Sequence, residues 1–228
     1  REKILGRIRE ALQTTAHVPG SHHGEPATPP VNGITPASTT ARQWLPLVGR
    51  SLEDQLTLFA QNAADLKAEF ILVDSAAAAR ATICELKARE NWQRAAGHSG
   101  DLTNAIVPPL NLALLRTDKP YDKQELEKCD VGISECDALV AQTGSVLLTC
   151  RSAGGRALSV LPPHHVVLAR REQIVPDLPA AYELLQKKYA GNYPSMISFI
   201  TGPSRTGDIE RILVLGAHGP KKLTIICF

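Results

Sequence analysis

The chain has 228 residues, with 25 basic and 23 acidic side chains for a formal net charge of +2, and 43% of its residues are hydrophobic. That length buries a substantial core and suits one generous domain better than two small ones. The near balance of charge supplies no field for a nucleic-acid backbone, and no RRM, zinc-finger or helix-turn-helix pattern is present, so no nucleic-acid partner is expected. The apolar runs fall far short of the ~20 residues that a membrane-spanning helix needs.

Arg1, Glu2, Lys3 and Ile4 carry no signal-peptide apolar core, although residue 1 need not be the native start. The five cysteines are Cys84, Cys129, Cys136, Cys150 and Cys227. None forms a Cys-x-x-Cys pair, which predicts buried reduced thiols in a cytoplasmic protein rather than a metal or cluster site.

In chain order, Ile4, Leu5, Ile8, Ala11 and Leu12 follow a helical period and predict an N-terminal helix. Residues 14–40 collect prolines, glycines and threonines and read as a linker or arm. Residues 1–45 therefore form a helix plus arm, and residues 46–228 form an α/β domain. The arm's His22 and His23 have no third ligand nearby and read as solvated. An arm of this kind can cross to a neighbouring subunit and make a homo-oligomer.

Ser51 to Asp54 has the capping-box form, and Leu52, Leu56, Phe59, Ala63 and Leu66 predict a helix after it. Residues 69–73 read as a buried strand. Residues 75–89 read as a helix with Ile83 and Leu86 inward. Strands are expected at 91–95 and 112–115, and a short helix at 121–128. Strands follow at 130–133, 146–149, 157–161 and 165–169, with a bent or short helical connection at 135–141.

Asp177 caps a predicted helix that has Pro179 in its first turn and Leu178, Ala181, Tyr182, Leu185 and Tyr189 on one face. One of His164 and His165 is expected to face inward. Arg170, Arg171, Lys187 and Lys188 read as a solvated basic face, and Trp44 and Trp92 as packing residues. Strands at 196–200 and 223–228 complete a three-layer α/β/α sandwich around a mixed, mainly parallel sheet.

Chemistry concentrates near the C-terminus. The run Thr201-Gly202-Pro203-Ser204-Arg205-Thr206-Gly207-Asp208-Ile209-Glu210, followed by Gly216-Ala217-His218-Gly219-Pro220, reads as strand, loop and a short helix over 208–215. A helix start favours an anion, and Arg205 would add a bidentate fork for a carboxylate or phosphate. The plainer reading is a well-capped turn in which Arg205 pairs with Asp208 or Glu210.

Ligands of open α/β sheets sit beyond strand carboxyl ends. Thr143, Gly144 and Ser145, with Gly202, Ser204, Arg205, Thr206 and Gly219, are therefore the ligand-binding candidates. His218, whose ordinary pKa lies near neutrality, is the proton-transfer candidate, with Asp208 or Asp137 as carboxylate partner. A structural role for His218, fixing the Gly-rich turn, stands beside it.

This motif pair, together with the segments at 137–145 and 155–162, resembles the lactate-utilisation protein C family of LUD-domain proteins. The likeness covers residues 70–228 and is absent from residues 1–45. It implies the superfold of sugar isomerases, CoA transferases and formyltetrahydrofolate cyclo-ligase. It also implies a subunit of an L-lactate-oxidising system that works beside iron–sulfur partner proteins, with no cofactor in this chain and a small anionic ligand.

Gln142 stands where the family pattern has Glu, which disfavours a glutamyl-CoA mechanism here, and Ser145 replaces a Thr. The alternative is a self-contained transferase or ligase-like enzyme acting on a nucleotide, CoA or sugar phosphate. No Gly-x-Gly-x-x-Gly or Walker lysine loop supports the nucleotide version.

Overall fold

A computed structural model describes residues 47–206, 214–216 and 218–228. The predicted N-terminal helix and arm, Trp44, Asp208 and most of the helix expected over 208–215 lie outside these residues.

Helix α1 (Leu52–Asp65) begins at Ser51, whose hydroxyl accepts from the Asp54 amide and so satisfies one of the free N–H groups of the first turn. It buries Leu56, Phe59 and Ala63, the stripe set by its apolar period. Strand β1 (Glu69–Leu72) leads to α2 (Ala76–Glu90), capped by Ser75 and ended by Asn91 in the left-handed region at φ 54°. Ile83 and Leu86 are buried as expected.

Strand β2 (Ala95–Gly97) starts where the sequence reading had a strand end. Just before it, Asp130 Oδ2 accepts from the backbone amides of Gln93 and Arg94 at 2.7 and 2.8 Å, so a side chain takes the donors that a strand ladder would use. Helix α3 (Asp101–Ile106) follows, then β3 (Leu114–Arg116), α4 (Lys123–Glu127) and β4 (Val131–Glu135).

The expected bent connection at 135–141 contains β5 (Ala138–Val140), which hairpins onto β6 (Ser145–Thr149). The expected strand at 157–161 is instead a turn, in which the amides of Val160 and Leu161 both donate to Ala157 O. Strand β7 (His164–Ala169) is buried along its whole length. The remaining elements are β8 (Ile174–Val175), α5 (Leu178–Tyr189), β9 (Ile197–Ile200), β10 (Arg205–Thr206), β11 (Val214–Leu215) and β12 (Lys222–Cys227).

The main sheet runs β1-β12-β7-β4-β2-β3, and every pairing in it is parallel. A second sheet, β8-β5-β6-β9, mixes one parallel with two antiparallel pairings. Strand β1 lies at an edge of its sheet and β9 at an edge of the other, so both are only partly buried rather than core strands.

Alternate residues of the central strands face opposite layers. Val167, Ala169, Ile225 and Cys227 pack with α1, while Val166, Leu168 and Ile226 pack with α2 and α3. Burial on both faces is why these strands read as unbroken apolar runs. It also buries both His164 and His165, at 4% and 0% exposure, where only one was expected to turn inward. The outer face of the second sheet is covered by α5 through Ala181, Leu185 and Tyr189.

Candidate functional site

Parallel strands deliver their carboxyl ends to one edge of a sheet, where loops converge. Here β2, β4 and β7 end together at a cleft of about 410 Å³ lined by Asp101, Glu135, Arg151, Ser152, Arg170, Gln173, Lys188 and Tyr189 among others. Glu135 closes β4 and Arg170 follows directly on β7. Arg151 and Ser152 sit in the turn after β6, and Lys188 and Tyr189 form the last turn of α5.

One wall is organised by Asp137, whose side chain is fully buried. Its Oδ1 accepts from Lys188 Nζ at 2.7 Å and from the Tyr189 hydroxyl at 2.6 Å, and its Oδ2 accepts from the Ser152 hydroxyl at 2.6 Å. Burial pushes the Asp137 pKa up, but the hydrogen bonds from Lys188, Ser152 and Tyr189 outweigh it and hold the carboxyl below its ordinary value. Burial and then Asp137 push the Tyr189 phenol up. Asp137 is therefore a fixed anion that neutralises Lys188, and both hydroxyls commit their protons to it.

The two arginines differ from Lys188. Arg151 donates to the neutral Asn192 oxygens at 2.8 and 3.0 Å and lies over the Tyr189 ring at 5.2 Å. The Arg170 guanidinium has no partner among the described residues, since only its backbone amide is engaged, by Gln173. Also lining the cleft, Glu135 Oε1 accepts from the amides of Leu102 and Thr103 at 2.9 Å each and from the Thr103 hydroxyl at 3.1 Å. Two guanidinium groups without a carboxylate partner among the described residues thus share the cleft with a carboxylate that is already anchored.

The candidates from the C-terminal motifs are brought together in part. Ser145 and Thr201 share a hydrogen bond at 2.7 Å, which ties the first loop to the start of the second. Ser204 joins the second to the third: its amide donates to Pro220 O at 2.8 Å, its carbonyl accepts from Gly216 at 3.0 Å, and its hydroxyl accepts from the His218 amide at 3.4 Å. Gly219 lies against Ser204, where an added Cβ would come within 3.3 Å of it.

Gly144 and Gly202 serve packing. Both have positive φ, 63° and 85°, and a Cβ on either would come within 2.9 Å of the backbone of α1 or of Leu66 just beyond it. Asn62 on α1 donates to Ala141 O and Gln142 O, clamping the first loop down, and the buried Thr143 hydroxyl has no partner there.

Arg205 and His218 are exposed. Arg205 and Thr206 pair antiparallel with Val214 and Leu215, so 214–215 are strand rather than the helix end expected there. His218 and Gly219 line a separate groove of about 600 Å³ with Pro163, Gly216 and Lys221, at the amino ends of β7 and β12. The loop at 216–220 precedes β12 rather than following a strand. It therefore lies at the opposite end of the main sheet from the cleft, and Asp137 belongs to the cleft rather than to His218.

The cleft adds Glu135, Arg151, Ser152 and Tyr189 to the candidates; Arg170 and Lys188, expected on a solvated basic face, are exposed and also line it. The available signal was a charged residue directly closing an apolar strand, as at Glu135 and Arg170. No group of three or more possible metal ligands and no helix long and apolar enough to cross a membrane occurs among the described residues.

Comparison with known proteins agrees with this architecture. A crystal structure of a DUF162 family protein from Deinococcus radiodurans superposes with a TM-score of 0.61 over 80% of this chain and 99% of that one, and at 24% identity it speaks to the fold alone. A lactate utilization protein C of Geobacillus kaustophilus is 29% identical over 220 residues, covering 87% of this chain and 88% of that protein. The protein of the same name from Anoxybacillus flavithermus is 40% identical over 100 residues, 44% of either chain. The LUD domain model matches residues 56–227, nearly the whole of the layered α/β unit and both motif loops, and the chain belongs to the LUD domain family.

Proposed function

We propose that this protein serves L-lactate utilisation as a subunit that binds a small carboxylate and works beside iron–sulfur partner proteins that carry the redox centres. The relatives' shared name, lactate utilization protein C, supports the pathway. The observation that carries the ligand class is the pair Arg151 and Arg170 at the strand-end cleft, two guanidinium groups without a carboxylate partner among the described residues. A planar guanidinium matches a carboxylate with two parallel hydrogen bonds.

The cleft replaces the C-terminal motif pair as the ligand site in this reading. The motif loops lie at the other end of the sheet, where their glycines and Ser204 hold backbone against backbone.

Two measurements test the two parts. Calorimetric or NMR titration with L-lactate should show saturable binding that Arg170→Ala weakens about tenfold in a folded protein, the scale of one charged hydrogen bond. Unchanged affinity in that variant would remove the cleft from the proposal. Affinity isolation of the tagged protein from its native cells should recover proteins with iron–sulfur chromophores, and lactate oxidation by the isolated chain without them would contradict the subunit role.

A further inference from the structure

Resting on the proposal that the cleft binds a carboxylate, we infer that Glu135 is the residue that selects a hydroxyl on that ligand, so that the cleft recognises 2-hydroxy acids in preference to 2-oxo acids. The two oxygens of Glu135 have different fates. Oε1 takes three donors, the amides of Leu102 and Thr103 and the Thr103 hydroxyl. Oε2 takes none among the described residues. A side chain at Gly100 would collide with Oε1, so the close approach of the α3 start to the carboxylate is built into the backbone. The carboxylate is held by one oxygen, its other oxygen is uncommitted among the described residues, and the side chain lines the cleft together with Arg151 and Arg170.

The other polar groups of the cleft do not provide this acceptor as well. Asp137 is buried and saturated by Lys188, Tyr189 and Ser152. The Ser152 oxygen already accepts from the Thr149 amide at 3.0 Å while donating to Asp137. The Gln173 oxygen accepts from the Arg170 amide at 2.7 Å and its amide group donates to Cys136 O at 2.7 Å. Asp101 is exposed at the mouth, where water competes for it.

A ligand with its carboxylate on the guanidinium groups therefore meets the uncommitted acceptor oxygen of Glu135. A hydroxyl donates to that acceptor. A ketone oxygen can only oppose it, leaving that acceptor unpaired and two acceptor oxygens in repulsion. The cleft is larger than a three-carbon acid, so the selection concerns this head group and leaves room for a longer tail.

The test compares L-lactate with pyruvate on the full chain, by NMR titration of the wild type and of Glu135→Gln. Glutamine keeps an oxygen for the three anchoring donors and replaces the free oxygen by an NH2 donor. The expected result is about tenfold tighter binding of L-lactate than of pyruvate by the wild type, with the preference abolished or reversed in Glu135→Gln. Equal affinity for both acids, or a preference that survives in the folded variant, overturns the role of Glu135 and leaves the carboxylate site standing. Failure of both acids to bind the wild type overturns the site and the inference together.

Discussion

Lowering the pH from 8 to 5 should destabilise this protein by about 4 kcal/mol, because two histidines are buried uncharged in strand β7. His165 is fully enclosed, with Nε2 on the Ser134 hydroxyl at 2.8 Å and Nδ1 without a partner. Burial, and then neighbouring His164, pushes its pKa down to about 3. His164 bonds the Thr224 hydroxyl at 2.9 Å and packs edge-on against Trp92. Burial leads in lowering it to about 4, with Glu90 and Glu69 opposing and Lys222 and Arg89 assisting.

In the unfolded chain both imidazoles titrate near 6.5. Above that pH neither state is protonated and the full stability is present. As the pH falls below 6.5 the unfolded state gains protons that the folded state refuses, so stability is lost towards about pH 4 for His164 and about pH 3 for His165. At pH 5 the linkage amounts to about 2 kcal/mol for each imidazole, a large share of the ~5–15 kcal/mol that holds a domain folded.

Glu69 and Glu90, held below their ordinary value first by Arg89 and Lys222 respectively, add to the loss mainly below their unfolded value of 4.5. Equilibrium urea unfolding at pH 8, 6.5 and 5 measures the effect. His165→Gln, which keeps a hydrogen bond to Ser134 without a titrating ring, should halve the pH dependence whatever its own stability. A flat profile between pH 8 and 5, or NMR titration of the β7 imidazoles near 6.5 in the folded protein, would refute the reasoning.

Other substitutions probe the site and its frame. Gly144→Ala must hold a Cβ at φ 63° and within 2.9 Å of the α1 backbone; it should cost about 2 kcal/mol or more in urea unfolding. Asp137→Asn leaves Lys188 without its counter-charge and weakens the Ser152 and Tyr189 bonds. About 2–3 kcal/mol of stability should be lost, because Lys188 is half exposed and water recovers part of its solvation. Arg205→Ala, on the exposed ribbon, should change L-lactate affinity by less than twofold, and a tenfold loss in the same titration would return the ligand site to the C-terminal motifs.

Much of the fold was legible because its signals are local. Ser51, Ser75 and Asp177 each accept from an amide in the first turn of the helix they precede, and the apolar runs of β7 and β12 are buried from both sides. What sequence reading misplaced depends on partners distant in the chain. The Asp130 carboxylate, far along the chain, takes the amides of Gln93 and Arg94 where the sequence suggests strand pairing. Residues 157–161 have strand composition, yet Val160 is 43% exposed and the segment closes on Ala157 as a turn.

The site was less legible than the fold. Polar density near the C-terminus marked the family, while its Gly202 packs closely on Leu66 and its Gly219 on Ser204. The cleft draws its residues from β4, the turn after β6, the end of β7 and the last turn of α5. No short stretch of sequence holds two walls of it, and Lys188 reads as a surface residue until Asp137 is placed beside it.

The most direct test of carboxylate binding at the strand ends is a residue-resolved NMR titration of the isotopically labelled protein with L-lactate. Saturable shifts should centre on the amides of Arg151, Ser152, Arg170 and Gln173 and fade in Arg170→Ala. Shifts centred on Ser204, Arg205 and His218, or no saturable shift anywhere, would contradict a lactate-binding cleft at the carboxyl ends of β2, β4 and β7.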